Sequence, residues 1–194
     1  KVAAVSASYY QSSSDLGSVI RVNALGEGFV TRIPVEVEGI ELQSELRVGP
    51  DWKFTAIYSN TDGKTAVDQG LPIDLALGAR NQGPDKVVLS ANYAFSPKGR
   101  IGLEAVKLFD RDVNIGRRST TNANLEEHFK GYTLLDLTIS YETRFGNFGL
   151  GVENLLNKYY IGYYSQANAA SQANQIDYFA GRGRSVTLSY QFKF

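Results

Sequence analysis

The sequence has no cysteine and no methionine among its 194 residues. Without cysteine there is no disulfide, no thiolate metal site and no cysteine nucleophile. Without methionine even at position 1, Lys1 is expected to follow a processed or excised segment rather than to be a translation start. Excess charge is also missing. Lys plus Arg and Asp plus Glu number 20 each, so the net charge is zero. A nucleic-acid partner, which needs a basic excess for its phosphates, is excluded. No apolar run approaches the ~18 residues of a transmembrane helix, and no signal peptide stands at Lys1. Crossing by strands stays open, because each needs only about ten alternating residues. No phosphate loop is spelled either: Gly26-Glu27-Gly28 and Gly181-Arg182-Gly183 lack the glycine or Lys-Ser/Thr that would follow.

Abundant instead are Tyr (12), Phe (10) and Gly (19), a composition of strands joined by tight turns. An apolar content of 43% is too high for disorder. The clearest strand is the last. In Ser185–Phe194, Val186, Leu188, Tyr190, Phe192 and Phe194 fall on one face, and Ser185, Thr187, Ser189, Gln191 and Lys193 on the other. Ten residues at ~3.4 Å rise and ~45° tilt span roughly 24 Å, close to the apolar band of an outer-membrane barrel. A chain that ends on phenylalanine, with apolar residues at every second position before it, resembles the C-terminal signal of Gram-negative outer-membrane proteins. That resemblance makes the segment the closing strand and the handle for the barrel-assembly machinery.

Period-2 segments recur along the whole chain, with no 3.6-residue periodicity. They predict strands over Val2–Gln11, Thr31–Val48, Trp52–Ser59, Val87–Phe95, Ile101–Asp110, Thr133–Phe145, Phe148–Glu153 and Ser185–Phe194. Between them lie the expected loops Ser12–Val30, Asn60–Pro84, Asp112–Lys130 and Asn157–Gly183, and short turns at Gly49-Pro50-Asp51, Ser96-Pro97-Lys98-Gly99 and Gly146-Asn147. Pro34 marks an irregular stretch of the second strand. Lys107 shares a face with Leu103 and Ala105; it is expected at a rim, snorkelling, unless a bulge shifts the register. The reading is all-β, an antiparallel up-and-down meander of about eight strands. Connections alternate long and short, which segregates long polar loops to one end, as in an outer-membrane barrel whose short turns face the periplasm. The polar face carries Glu41, Glu45, Arg47, Asp136, Glu142, Arg144, Glu153, Gln191 and Lys193, which favours a wet interior. Alternation by itself also fits a soluble lipocalin-like binder with an apolar inside.

Three stretches resemble the TonB-dependent outer-membrane receptors. The first is Glu38-Gly39-Ile40-Glu41-Leu42 with Gly49-Pro50-Asp51-Trp52 and the run to Asp62. The second is Gly131-Tyr132-Thr133-Leu134-Leu135-Asp136-Leu137 with Gly151-Val152-Glu153-Asn154-Leu155-Leu156-Asn157-Lys158-Tyr159-Tyr160. Here Leu156 and Asn157 stand where the family more often has Phe and Asp. The third is Gly181-Arg182-Gly183-Arg184 running into the final strand. The resemblance implies a transmembrane barrel of about 22 strands around a plug. Residues 1–194 would be its C-terminal strands, without the plug domain. It implies uptake of a ferric siderophore or similar scarce nutrient across the outer membrane of a Gram-negative bacterium. TonB would act through a part of the receptor not in this chain. Two other readings stand beside it: a self-contained eight-stranded outer-membrane barrel with an adhesin or structural role, and the soluble binder.

No catalytic constellation is present, so no enzyme activity is expected. His128 lies alone in a loop, and Asp110 with Asp112 reads as a charged rim. No side chain is expected to bind a cofactor or metal directly; iron would come only as a ferric chelate. The candidate ligand-binding residues are Arg80, Arg117, Arg118, Tyr163, Tyr164, Tyr178 and Arg182, all in expected outer loops. Arginine offers a planar fork and tyrosine an apolar face with a hydroxyl, which suits an anionic chelate. The same arginines would also suit lipopolysaccharide phosphates, with Tyr159 and Tyr160 as interface anchors. Other expected partners are outer-membrane lipid and the barrel-assembly machinery.

Overall fold

The structure, a computed structural model, describes residues 1–22, 27–78, 81–117, 124–166 and 179–192. Eleven strands run in chain order: β1 Val2–Val22, β2 Gly28–Val48, β3 Trp52–Ala66, β4 Ile73–Ala76, β5 Lys86–Ser96, β6 Gly99–Leu108, β7 Arg111–Arg117, β8 Asn124–Phe129, β9 Tyr132–Thr143, β10 Gly146–Glu153 and β11 Ser185–Phe192. Eight of them form one antiparallel path, β1-β2-β3-β5-β6-β9-β10-β11, and β4 pairs beside β3. β7 and β8 make a separate two-stranded hairpin. Among the described residues β1 and β11 pair with no strand on their outer sides, so the sheet is open.

The register turns the strand patterns into two continuous surfaces. One row reads Ala3, Leu46, Phe54, Ala91, Leu103, Leu137, Val152, Val186 across all eight strands. The next row reads Arg47, Lys53, Asn92, Gly102, Thr138, Gly151, Thr187 on the opposite face. Among the described residues no second layer covers the apolar rows: Leu188 is 79% exposed, Val186, Leu103 and Leu46 are exposed too, and of the first row only Val152, at the loop end of its strand, is buried. A soluble sandwich or lipocalin must bury that face in protein. A single sheet that leaves it open needs lipid as its solvent. On the polar face Arg47 and Lys53 both pair with Glu45, at 2.8 and 3.0 Å.

The tight turns, at residues 49–51, 97–98 and 144–145, lie at one end. An aromatic belt sits on the apolar face there. Trp52 stacks on Tyr93 (4.5 Å) and Phe54 (5.5 Å), Phe95 on Tyr141 (6.3 Å), and Tyr190 packs against Phe148 (4.3 Å) and Phe192 (4.6 Å). Such rings anchor a barrel at the membrane–water boundary, where the apolar body meets lipid and the polar tip meets water. Val186, Leu188, Tyr190 and Phe192 of the expected assembly signal all lie on this face; Phe194 lies outside the described residues.

The polar segments depart from expectation. Within the expected loop Ser12–Val30, residues 12–22 and 28–30 are strand: β1 runs on to Val22 and pairs with β2 from Gly28, and residues 23–26 lie outside the described residues. Above a bilayer both faces meet water, so a strand there needs only its backbone ladder and no apolar stripe. Pro34 does mark an irregularity. Between Ser14 and Gly17 the register shifts by one, so Asp15 and Leu16 lie opposite Pro34. Proline has no N–H for the ladder. Leu16 finds other partners: its N–H donates to Ser14 Oγ (3.1 Å) and its carbonyl accepts from Arg32 (3.1 Å). Likewise Asn60–Pro84 contains the end of β3 and all of β4, and Asp112–Lys130 contains most of the β7–β8 hairpin. At Lys107 no bulge occurs. It pairs in unbroken register with Val87 and Thr133, one residue from the end of β6, and its ammonium lies 4.5 Å from the Phe109 ring centre. It is a rim lysine, snorkelling away from the apolar rows.

Candidate functional site

The packed interior of the described chain lies at the loop end. Phe129, 1% exposed, meets Tyr163 edge-on at 4.9 Å and Tyr132 at 6.2 Å, with Leu108 against them. Tyr132 in turn packs on Tyr160 at 4.5 Å. Residues 82–85 run through the middle of this end. Gln82 Oε1 accepts the Gly63 N–H (2.8 Å) and Gln82 O accepts the Tyr163 hydroxyl (2.8 Å). Gly83 O accepts from Arg111 (2.7 Å). Asp85 accepts from Tyr58 (2.8 Å) and Asn60 (2.7 Å). Arg111 also donates to Thr61 O (3.1 Å) and, through its other terminal nitrogen, to Asp62 (2.6 Å). Gln166 closes on Lys130 in both directions, at 3.0 and 3.1 Å, and donates to Ile161 O.

A second structured point is the exit of β10. Asn154 and Asn157 have φ of 48° and 50°, the left-handed region that asparagine tolerates better than other residues with a Cβ. Asn154 is 3% exposed. Its N–H donates to Asp136 (2.7 Å), its amide donates to Lys158 O (2.9 Å) and Arg182 O (3.1 Å), and its Oδ1 accepts the Lys158 N–H (2.8 Å). Asn157 Oδ1 accepts the Arg184 N–H (3.0 Å). The stretches Gly131–Leu137 and Gly151–Tyr160 thus meet through Asp136 and Asn154, and they aim the chain into β11.

The expected ligand residues are distributed unevenly. Tyr163 is enclosed, at 6% exposure, with its hydroxyl committed to Gln82. Burial pushes that phenol above the ordinary tyrosine range, partly offset by the nearby Arg111 guanidinium. Tyr164, 61% exposed, projects beside it, edge-on at 5.4 Å. Arg182 is exposed and contacts Glu153 at 3.4 Å. Arg117 ends β7, where only the backbone is described; Arg80, Arg118 and Tyr178 lie outside the described residues. His128 is not alone: it faces Asp112 across the hairpin, Nδ1 to Oδ1 2.8 Å. Asp110 accepts the Gly131 N–H.

The family model for the TonB dependent receptor-like beta-barrel matches residues 4–155. The chain belongs to that family. Solved structures of similar fold include a copper transporter, OprC (TM-score 0.77, 18% identity), which matches 99% of this chain and 29% of its own. The FrpB iron transporter from Neisseria meningitidis gives a TM-score of 0.73 at 18% identity, over 96% of this chain and 28% of its own. The ferripyoverdine receptor of the outer membrane of Pseudomonas aeruginosa gives 0.68 at 16%, over 99% and 25%. The TonB-dependent barrel segment therefore spans less than a third of those chains. Its place is the outer membrane of a Gram-negative bacterium, and its family is one of receptors and transporters.

Reading the sequence singled out tyrosines and arginines by chemistry and missed the residues that shape the loop end: Arg111, Gln82, Asp85 and Asn154. Only Asn154 left a trace, as part of the Gly151–Tyr160 stretch. The others act through hydrogen bonds to residues 19 to 81 positions away in the chain, which have no spacing to detect.

Proposed function

We propose that residues 1–194 are the C-terminal strands of a larger receptor barrel that takes up a ferric siderophore, or a similar scarce chelated nutrient, in a TonB-dependent manner. The observation that carries this reading is the open eight-strand path, apolar on one face and polar on the other, with every long connection at one end. An open sheet needs further strands to satisfy its two edges, and family membership supplies the architecture that would do so. A self-contained eight-stranded barrel would need β1 on β11, a pairing not found among the described residues.

In this reading the apolar face meets outer-membrane lipid and the polar face lines a wet lumen around a plug. The loop end faces outside, and lipopolysaccharide surrounds its rim. Val186, Leu188, Tyr190, Phe192 and Phe194 form the strand that the barrel-assembly machinery recognises. TonB engages a part of the receptor outside residues 1–194. Iron is cargo inside its chelate and no side chain here is a resident ligand for it. Arg80, Arg117, Arg118, Tyr164, Tyr178 and Arg182 are the candidates for contact with that chelate. An anionic chelate suits guanidinium forks and exposed phenol rings.

The test is uptake of radioiron-labelled siderophores by iron-starved cells carrying or lacking the intact gene. Loss of uptake of at least one chelate on deletion, with recovery on complementation, is the expected result. Undiminished uptake across hydroxamate, catecholate and mixed-ligand chelates would overturn the siderophore assignment.

A further inference from the structure

Long loops on a barrel could move as separate flaps, each answering to its own contacts. The hydrogen bonds at the loop end argue otherwise. Among the described residues the β7–β8 hairpin shares no ladder with the main sheet. A two-stranded hairpin is marginal by itself, so its side-chain contacts must set its position. One is Arg111, which donates to Thr61 O, Asp62 and Gly83 O and so grips the end of β3 and residues 82–85 at once. Another is Phe129, packed on Tyr163. Tyr163 holds Gln82 O, and Gln82 holds Gly63 through its side chain. Residues 82–85 are thus gripped from β3, from the hairpin and from the segment around 163.

We propose that Arg111 is a positioning residue which, through residues 82–85, fastens the described parts of three outward connections into one cap: residues 60–66 with 82–85, residues 109–112 with 128–131, and the segment 159–166. The claim deepens the receptor reading and rests on it for the word outward. Its geometric content concerns only which segments open together. A guanidinium suits the task because its rigid fork reaches several acceptors in fixed directions. Its side chain is largely buried, so these charge-assisted bonds are poorly replaced by water. Tyr163 serves the same cap from the opposite side.

The experiment is amide hydrogen exchange on the intact receptor in detergent micelles, comparing wild type with Arg111→Ala, Arg111→Lys and Tyr163→Phe. In Arg111→Ala, exchange should rise about tenfold or more in 61–66, 81–85 and 159–166 together, the factor for losing one charge-assisted bond. Protection in β10 and β11 should stay as in wild type, which a general loss of stability would not allow. Arg111→Lys keeps the charge without the fork and should fail to restore 81–85. Tyr163→Phe should loosen 81–85 and the segment around 163 while keeping the ring packing on Phe129. Deprotection confined to the hairpin 111–129, or full protection in Arg111→Lys, would overturn the proposal. The readout uses no chelate. A wrong siderophore assignment would leave it unchanged, while independent loops would show here with uptake intact.

Discussion

Replacing Asn154 tests whether the turn after β10 is held by its side chain or merely tolerated. The side chain makes three hydrogen bonds, two as donor and one as acceptor, at 3% exposure. Each such bond contributes about 0.5–1.5 kcal/mol net. The backbone sits at φ 48°, where an ordinary side chain costs roughly 1–2 kcal/mol more than glycine or asparagine. Asn154→Ala therefore loses about 2.5–6.5 kcal/mol of local stability, bonds and conformation together. Asn154→Gly loses the same bonds and escapes the strain. After glycine's extra chain entropy is subtracted it should be better than alanine by roughly 0.5–1 kcal/mol. The assay is native-state amide exchange over residues 153–158 and 181–185, where both halves of the turn report. At about 1.4 kcal/mol per decade, alanine should speed exchange by about 100-fold or more, and glycine by several-fold less than alanine. Alanine within threefold of wild type would refute the side chain's role. Glycine worse than alanine would refute the role of the left-handed backbone.

Face polarity gives a second prediction. Leu188→Lys should cost about 2–4 kcal/mol in lipid vesicles and Thr187→Lys, one residue away on the lumen face, little; equal costs in urea unfolding would contradict an apolar face in lipid. At the rim, Lys107→Leu should change stability by under about 1 kcal/mol, since the lysine is already at the boundary; a gain above 2 kcal/mol would place it at the midplane instead. Tyr163 predicts a pH effect. Its folded pKa is raised by burial, so its contribution is complete below about pH 10, the unfolded value, and is lost as pH rises through the folded value. Exchange protection at 81–85 should hold from neutral pH to about 10 and fall beyond it, and Tyr163→Phe should reduce the fall to the part owed to the Tyr58 hydroxyl on Asp85. Gly39 carries the ring of Tyr10, whose hydroxyl reaches Thr61 at 2.6 Å; a Cβ there would strike that hydroxyl and Asn60 O, so Gly39→Ala should lower the unfolding midpoint where Gly83→Ala, with nothing near its Cβ, does not.

What the sequence made legible follows from where period-2 order is required. Between Val186 and Phe192 each side chain meets either lipid or water, so the choice at every position is binary and shows in the residues. The eight lipid-crossing strands were therefore readable, and so was the rim place of Lys107. Beyond the apolar band the rule lapses. Ser12–Val22 looks like a loop because it opens on Ser-Ser-Ser-Asp and its Leu16, Val19, Ile20 and Val22 keep no unbroken period-2 order, yet its backbone pairs with β2 as regularly as the rest, broken only opposite Pro34. The loop end was hardest to read. Tyr163 and Tyr164 are adjacent and chemically identical, and the structure buries one and exposes the other. That difference is decided by Phe129 and Gln82, which lie 34 and 81 residues away in the chain.

The two ends of the molecule consequently answer to different physics. Along the apolar rows the exposed side chains have no dry protein core to fill, and Leu188 or Val186 gains from lipid what a soluble strand gains from packing. Volume changes on that face should be tolerated as long as polarity is kept, because lipid chains refill the space. At the loop end the reverse holds. Phe129 and Tyr163 are packed on all sides by protein, and Gln82, Gly83 and Asp85 have fixed partners. There a change of one methylene or one hydroxyl is felt. Leu137→Val in the sheet and Phe129→Leu in the cap test the contrast by removing apolar volume of similar kind. The first should shift unfolding by under about 1 kcal/mol, and the second should cost about 1–3 kcal/mol locally, seen as faster exchange in 159–166. Comparable losses at both sites would mean that the sheet face is packed against protein after all, and the lipid-facing assignment would fall with it.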